Sequence, residues 1–299
     1  MDLHEAKVAP LYRLTHQKRW TYVALADARV FVGAAIVGLG YASTAIVFAL
    51  DRERGRFLVD RSLLLPGRGA SFADHGPLGR SARFVSPGVR LQLGDGELRL
   101  DLAGRDGLPV HASARFEPLE APAIGAFVPV EGGYANATEK RIARATGEVV
   151  AGGRRFVLED GLAAFDHTHG LLARHTAWRW ALGLGRTRDG RLLAFNLVEG
   201  FVGEAECAAW LGDELIPLGE GRFEYDVKNP MSPWVIRTTC GALDLRFEAA
   251  AVHEEHKNLG LVRSAFVQPV GRFTGTLRHG GEELAIDLPG VTEHQDVRW

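Results

Sequence analysis

The longest apolar stretch of the chain runs from Val30 to Leu50, VFVGAAIVGLGYASTAIVFAL, 21 residues without a charge between Arg29 and Asp51. A helix of that length reaches across a bilayer. The residue types point elsewhere. Val30, Val32, Ile36 and Val37 crowd the first half, and Thr44, Ile46 and Val47 the second. Such β-branched side chains favour strands. Between the halves, GLGY places glycines where a tight turn needs positive φ. Strands covered on both faces need no polar alternation. The pattern predicts a buried hairpin and no membrane span.

The remaining pattern is of the same kind. Turn signals such as RERG, LPGRG, AGGRR, LEDG, RTRDG and RHGGEE recur along the chain, and glycine is abundant at 36 residues. Between the turns lie short alternating or apolar runs, among them LRLDL, RFVL, RLLAFNLV and LDLRFEA. Many short strands at regular spacing predict an all-β sandwich or barrel. Helical periodicity is scarce. A turn or two near Asp2 to Leu11 and a short piece near Asn136 to Arg144 are the helix candidates. Val128 to Thr146, with its proline, glycines and asparagine, reads as the boundary. It divides the chain into two β-units, residues 1–140 and 141–299.

Composition narrows the function. A formal net charge of −2 carries no electrostatic footprint for nucleic acid. Two cysteines, Cys207 and Cys240, are too few for a disulfide framework and form no CxxC pair. The first 20 residues are polar and mixed in charge, unlike a secretory or transit sequence, so the expected compartment is the cytoplasm. No GxxxxGK[ST] and no GxSxG motif occurs, which leaves phosphate cradling and nucleophile-elbow chemistry without support.

The densest chemistry lies between Ala164 and Phe201. Asp166, His167, His169, Arg174, Trp178, Trp180, Asn196 and Glu199 fall within this stretch. Strand alternation puts His167 and His169 on one face and Asp166 and Thr168 on the other. It also sets Trp178 and Trp180 opposite Arg179, and Asn196 opposite Glu199. Three readings are open. A buried Asp166 or a neighbouring histidine acts as acid or base, since burial raises a carboxyl pKa. Alternatively His167 and His169 form a metal pair completed by Glu199, His253 or Glu293. In the third reading Asp166 opens a turn, the histidines are exposed and the tryptophans are core. Near the end, GVTEHQDVRW sets Glu293 beside His294, where the carboxylate can pair with an arginine or line a closing strand.

The ordered runs FDHTHG, TAWRWALGLG, DGRLLAFNLVEGF, PWVIRT, FVQPVGRFTGTL and GVTEHQDVRW resemble an uncharacterised bacterial family known as a domain of unknown function. The similarity extends from Gln17 to Trp299. More distantly, Asp166 with Gly170, the W-x-W at Trp178 and Trp180, and the DGR turn at Asp189 resemble the carotenoid 1,2-hydratase, tocopherol cyclase and AttH-like proteins. That resemblance implies two lipocalin-like β-barrels packed side by side, a ligand cavity and no organic cofactor. It also implies an alkene-protonating aspartate, here Asp166. The tyrosine that precedes that aspartate by two positions in the hydratases is Ala164 here.

These readings combine into one expectation. The chain is a cofactor-independent acid/base enzyme, of hydratase, cyclase or isomerase type, on a hydrophobic small molecule. Asp166 is its acid, with His167 or His169 as tuner or base. Arg174, Trp178, Trp180, Asn196, Glu199 and Glu293 bind the substrate. A non-catalytic carrier of a hydrophobic ligand is the alternative, and a metal enzyme built on the H-x-H pair is a second one.

Overall fold

The computed structural model describes residues 7–67, 69–73, 80–94, 96–104, 107–258 and 262–299. A short helix, α1 (Pro10–His16), carries proline in its first turn, where the missing N–H is not needed. The helix expected near Asp2 to Leu11 overlaps it at two positions, Pro10 and Leu11, and residues 2–6 lie outside the described set. The strands that follow are β1 (Gln17–Ala26), β2 (Val30–Gly38), β3 (Ala42–Asp51) and β4 (Arg56–Pro66). Next come β5 (Ala70–Ala73), β6 (Ser81–Ser86), β7 (Val89–Gly94), β8 (Glu97–Ala103) and β9 (Pro109–Pro118). The middle of the chain forms β10 (Ile124–Pro129), β11 (Ala135–Ala151), β12 (Arg154–Leu171), β13 (His175–Arg186) and β14 (Leu192–Gly200). The last strands are β15 (Ala208–Leu211), β16 (Glu214–Pro217), β17 (Gly221–Glu224), β18 (Trp234–Thr238), β19 (Leu243–Asn258), β20 (Arg263–His279) and β21 (Glu282–Arg298).

Contacts divide the chain into two units, residues 1–119 with 131–173, and residues 120–130 with 174–299. The sequence pattern put the division after residue 140, which lies inside β11. The helix expected over Asn136–Arg144 is also part of β11. That strand pairs with β12 along its length and with β9 from Ala143 to Val150, so the ladder with β12 carries the backbone bonds of this segment.

The first sheet has the order β4-β3-β2-β1-β12-β11-β9-β8-β7-β6-β5, entirely antiparallel along this path. It curls until β1 and β2 pack over β6 and β7. Val23 and Leu25 of β1, Val32, Ala34 and Ile36 of β2, and Phe84, Leu91, Phe116 and Phe165 from the facing strands fill the interior. The Val30–Leu50 run is a hairpin: β2 and β3 pair from Val30↔Asp51 to Gly38↔Ser43. Both faces are covered, since Phe31 and Phe48, which point away from that core, are also fully buried. Gly40 closes the turn at φ +87°, where a Cβ would lie 2.3 Å from the Leu14 carbonyl oxygen. No helix among the described residues is long and apolar enough to cross a membrane.

The second sheet has the order β16-β15-β14-β13-β21-β20-β19-β18-β17 and curls so that β17 approaches β14. Its interior is aromatic. Phe273 packs edge-on against Phe195, with centroids 5.0 Å apart, and against Phe247 at 4.6 Å. Both sheets obey one plan: four opening strands lie in reverse order, the first pairs with the last strand of its unit, and the rest fold back outward. The duplication reaches individual residues. Tyr22 faces Asp166 across β1 and β12, as Trp180 faces Glu293 across β13 and β21. Trp20 then matches Trp178, His167 matches His294, and His169 matches Asp296.

Candidate functional site

Strand alternation distributes the predicted residues over four separate surfaces. In the first unit, His167 and His169 share the inner face of β12 with Phe165 of the core. His167 Nδ1 lies 2.8 Å from Thr21 Oγ1, and His169 Nε2 lies 2.8 Å from Gln17 Nε2. Asp166 is on the opposite face. Its carboxylate accepts hydrogen bonds from Lys140 Nζ and Thr168 Oγ1, so a buried ammonium is its counter-ion. Asp166 and the two histidines therefore stand on opposite sides of one strand.

In the second unit, the outer face of the sheet gathers four predicted residues. Trp178 Nε1 donates to Glu293 Oε1 at 2.7 Å, and Gln268 Nε2 donates to Glu293 Oε2 at 2.7 Å. Beside them Trp180 Nε1 donates to Asn196 Oδ1 at 2.7 Å, and Asn196 Nδ2 donates to the Glu206 carbonyl at 2.6 Å. Two neutral donors thus hold the Glu293 carboxylate, and a separate Trp180–Asn196 pair lies beside it. Gln268 occupies in this unit the place that Lys140 holds in the first. Arg174 is apart from this group: it is exposed and starts the second unit, where its carbonyl accepts from the Trp299 amide at 2.9 Å.

Glu199 is on the inner face, and the sequence did not reveal its company. Cross-strand register lines up Glu199 of β14, Arg179 of β13 and His294 of β21 in one lateral row. Adjacent strands lie about 4.8 Å apart, so the three side chains rise from neighbouring positions. Tyr225, directly after β17, reaches the row from across the barrel. Its ring stacks on the buried Trp234 at 3.6 Å and 6°. Its hydroxyl meets both Arg179 Nε, at 3.4 Å, and His294 Nδ1. Deeper on the same face lie Ala181, then Gly183 under the Phe195 ring.

The row is electrostatically polarised. Burial pushes the Glu199 carboxyl up from its usual range, against the opposing pull of Arg179 and Arg222. Burial and the positive charge of Arg179 push the His294 imidazole down, with Asp296 acting the other way. The carboxyl is moved up and the imidazole down, so the two are brought toward one another, and clustered shifts of this kind mark a candidate site. Arg179 between them donates through Nε to Tyr225 and is placed to stabilise a developing negative charge. The matching row of the first unit is Ile36, Thr21 and His167, continued on β11 by Glu139 opposite His167, while Arg19 lies opposite His169 two positions along the same face.

Among the described residues no group of three or more histidine, cysteine or carboxylate side chains converges as metal ligands. An open depression of about 820 Å3 lies at the far end of the first sheet, lined by Val85, Pro87, Arg90, Asp101 and His111. None of the residues discussed above line it.

A family model described as a domain of unknown function, DUF2804, matches residues 1–299. No curated protein matches the sequence. Among solved structures, CghA with Sch210972 aligns at TM-score 0.60 and 13% identity, covering 95% of this chain and 89% of that one. Kievitone hydratase from Nectria haematococca aligns at 0.55 and 14%, covering 96% and 92%. A putative AttH from Nitrosomonas europaea aligns at 0.53 and 12%, covering 93% and 91%. At these identities the likeness establishes the fold, which is that of the lipocalin-like double-barrel proteins.

Proposed function

For a chain that belongs to the DUF2804 family over its whole length, we propose an acid/base enzyme of hydratase or isomerase type acting on a hydrophobic small molecule. The observation that carries the reading is the row Glu199–Arg179–His294, in which acid and base flank a cation on one barrel face. Glu199 delivers the proton, and the neutral His294 side receives one. Arg179 holds the oxygen on which charge develops. Such positioned proton transfer contributes about 10²–10⁴-fold to a rate. Ala181 and Phe195 continue the same face into the apolar interior of the barrel, beside which a hydrophobic guest would be held. Proton transfer of this kind calls on no organic cofactor. One structural relative is by name a hydratase, which agrees with the reaction class.

Asp166, put forward by the resemblance as the acid, accepts hydrogen bonds from Lys140 and Thr168. Lys140 occupies that carboxylate on the face away from the histidines, so the proton is assigned to Glu199 instead. Glu293, with Trp178, Trp180 and Asn196 beside it, frames the strands behind the row.

The test uses deuterium. The full-length protein is incubated in D2O with a panel of hydrophobic enones, allylic alcohols and alkenes, and incorporation is read by mass spectrometry. The expected result is incorporation into one chemical class by the wild type, lost in E199Q and in H294Q. Incorporation retained in both variants removes the row from the chemistry. Saturable binding of a panel compound without incorporation favours the carrier.

A further inference from the structure

The second barrel contains a proton acceptor that the row alone does not disclose, and the inference rests on the acid/base reading just given. We propose that Tyr225 is the group through which His294 takes its proton: the phenol faces the substrate, and the imidazole stands behind it as the base. The argument is one of hydrogen-bond direction. Arg179 Nε–H can only donate, so the Tyr225 oxygen accepts from it. In the relay the single phenol proton goes to its other partner, His294 Nδ1. With Nδ1 accepting, the imidazole is the neutral Nε2–H tautomer, and the environment favours neutrality because Arg179 is close. The phenolic oxygen keeps a second acceptor position for a substrate or a water.

The transfer balances. A proton leaves the substrate carbon, or an attacking water, for the Tyr225 oxygen, and its bonding pair stays behind on carbon or on oxygen. The phenol proton passes to His294 Nδ1, whose lone pair forms the new N–H bond. Tyrosine ends neutral and histidine ends as imidazolium. Glu199 supplies one proton elsewhere on the substrate, so the substrate gains and loses one proton each. The Trp234 stack fixes the phenol ring, so the oxygen is held and not merely tethered. The charged and titratable groups around the imidazole are Arg179 on β13, His256 on β19 and Asp296 on β21, with Glu199 on β14 and Glu254 on β19 in the same lateral row and Arg222 on β17 beside Glu199. In the first unit the matching histidine, His167, has its Nδ1 2.8 Å from Thr21 Oγ1, in the position that Arg179 holds here.

Nitrogen-15 NMR of histidine-labelled full-length protein decides the geometry without any substrate. The His294 signal is assigned by its loss in H294Q. The wild type is expected to give the neutral Nε2–H pattern at pH 7. In Y225F, which keeps the ring on Trp234, the midpoint is expected to move up, because a donor to the neutral imidazole is gone. A neutral Nδ1–H tautomer in the wild type, or an unmoved midpoint in Y225F, overturns the proposal. Where a panel compound incorporates deuterium, Y225F is expected to slow it about 100-fold. An unchanged rate in Y225F also overturns the relay, even if E199Q and H294Q are inactive. If the wild type incorporates nothing, the enzymatic reading falls, while the tautomer still decides whether the phenol is the donor.

Discussion

Gly183 lies under the Phe195 ring, four residues along β13 from Arg179, and substituting it isolates what that packing excludes. A Cβ at Gly183 would lie 2.3 Å from Phe195 Cε1 and 2.5 Å from Cζ, where ordinary contact begins at 3.4 Å. The ring would have to retreat by about 1.1 Å, the difference between 2.3 and 3.4 Å. Phe195 is fully buried and wedged edge-on against Phe273, so it cannot yield freely. Overpacking of this kind costs about 1–3 kcal/mol. Removing a strand glycine returns about 0.5–1 kcal/mol of backbone entropy. G183A should therefore lose about 1–2 kcal/mol. In the F195A background, itself weakened by about 3–5 kcal/mol, the obstacle is gone and the same substitution should gain about 0.5–1 kcal/mol. The assay is urea denaturation followed by tryptophan fluorescence, which reports the second unit because Trp20 alone lies in the first. Equal effects of G183A in the two backgrounds would refute the argument that the Phe195 ring is what excludes a side chain.

Three further outcomes follow from the same physics. Glu199 has its carboxyl pushed up by burial, so its contribution to stability is complete below about pH 4.5 and is lost as pH rises through its folded pKa. E199Q should gain on the wild type in urea midpoint at pH 7.5 and much less at pH 4; a constant gap contradicts this. His294 is pushed down, so its contribution is present above about pH 6.5 and is lost as pH falls toward its folded pKa. The wild type should weaken more than H294Q between pH 7 and pH 5, and parallel curves would count against a buried neutral imidazole. Leaving a buried charge without its counter-ion costs about 3–5 kcal/mol, so D166N should raise amide hydrogen exchange across β11 and β12, while deuterium incorporation into a panel compound survives. Abolished incorporation in folded D166N would return the acid role to Asp166.

Alternation along single strands was legible without coordinates. The two-faced burial of Val30–Leu50 followed from β-branched composition around a glycine turn, and the hairpin formed as that composition dictates. The opposition of Asp166 to His167 and His169, and of Asn196 to Glu199, followed from the two-residue period of a strand. Arg179 and His294 had a signal too, since each alternates with a residue singled out, Trp180 and Glu293. The segment Asn136–Arg144 shows the limit of local pattern: its helical spacing was overridden by the antiparallel ladder with β12, joined by β9 at Ala143 and Arg144.

What the chain decides by itself is therefore the kind of element and which side chains share a face, because both are settled within a few residues by sterics and pleat. What the tertiary structure decides is which faces meet. Glu199, Arg179 and His294 become neighbours through strand register over more than 100 positions, and Tyr225 joins them when the sheet curls β17 toward β14. Register and curl depend on the summed packing of a whole barrel, so no window of sequence contains them.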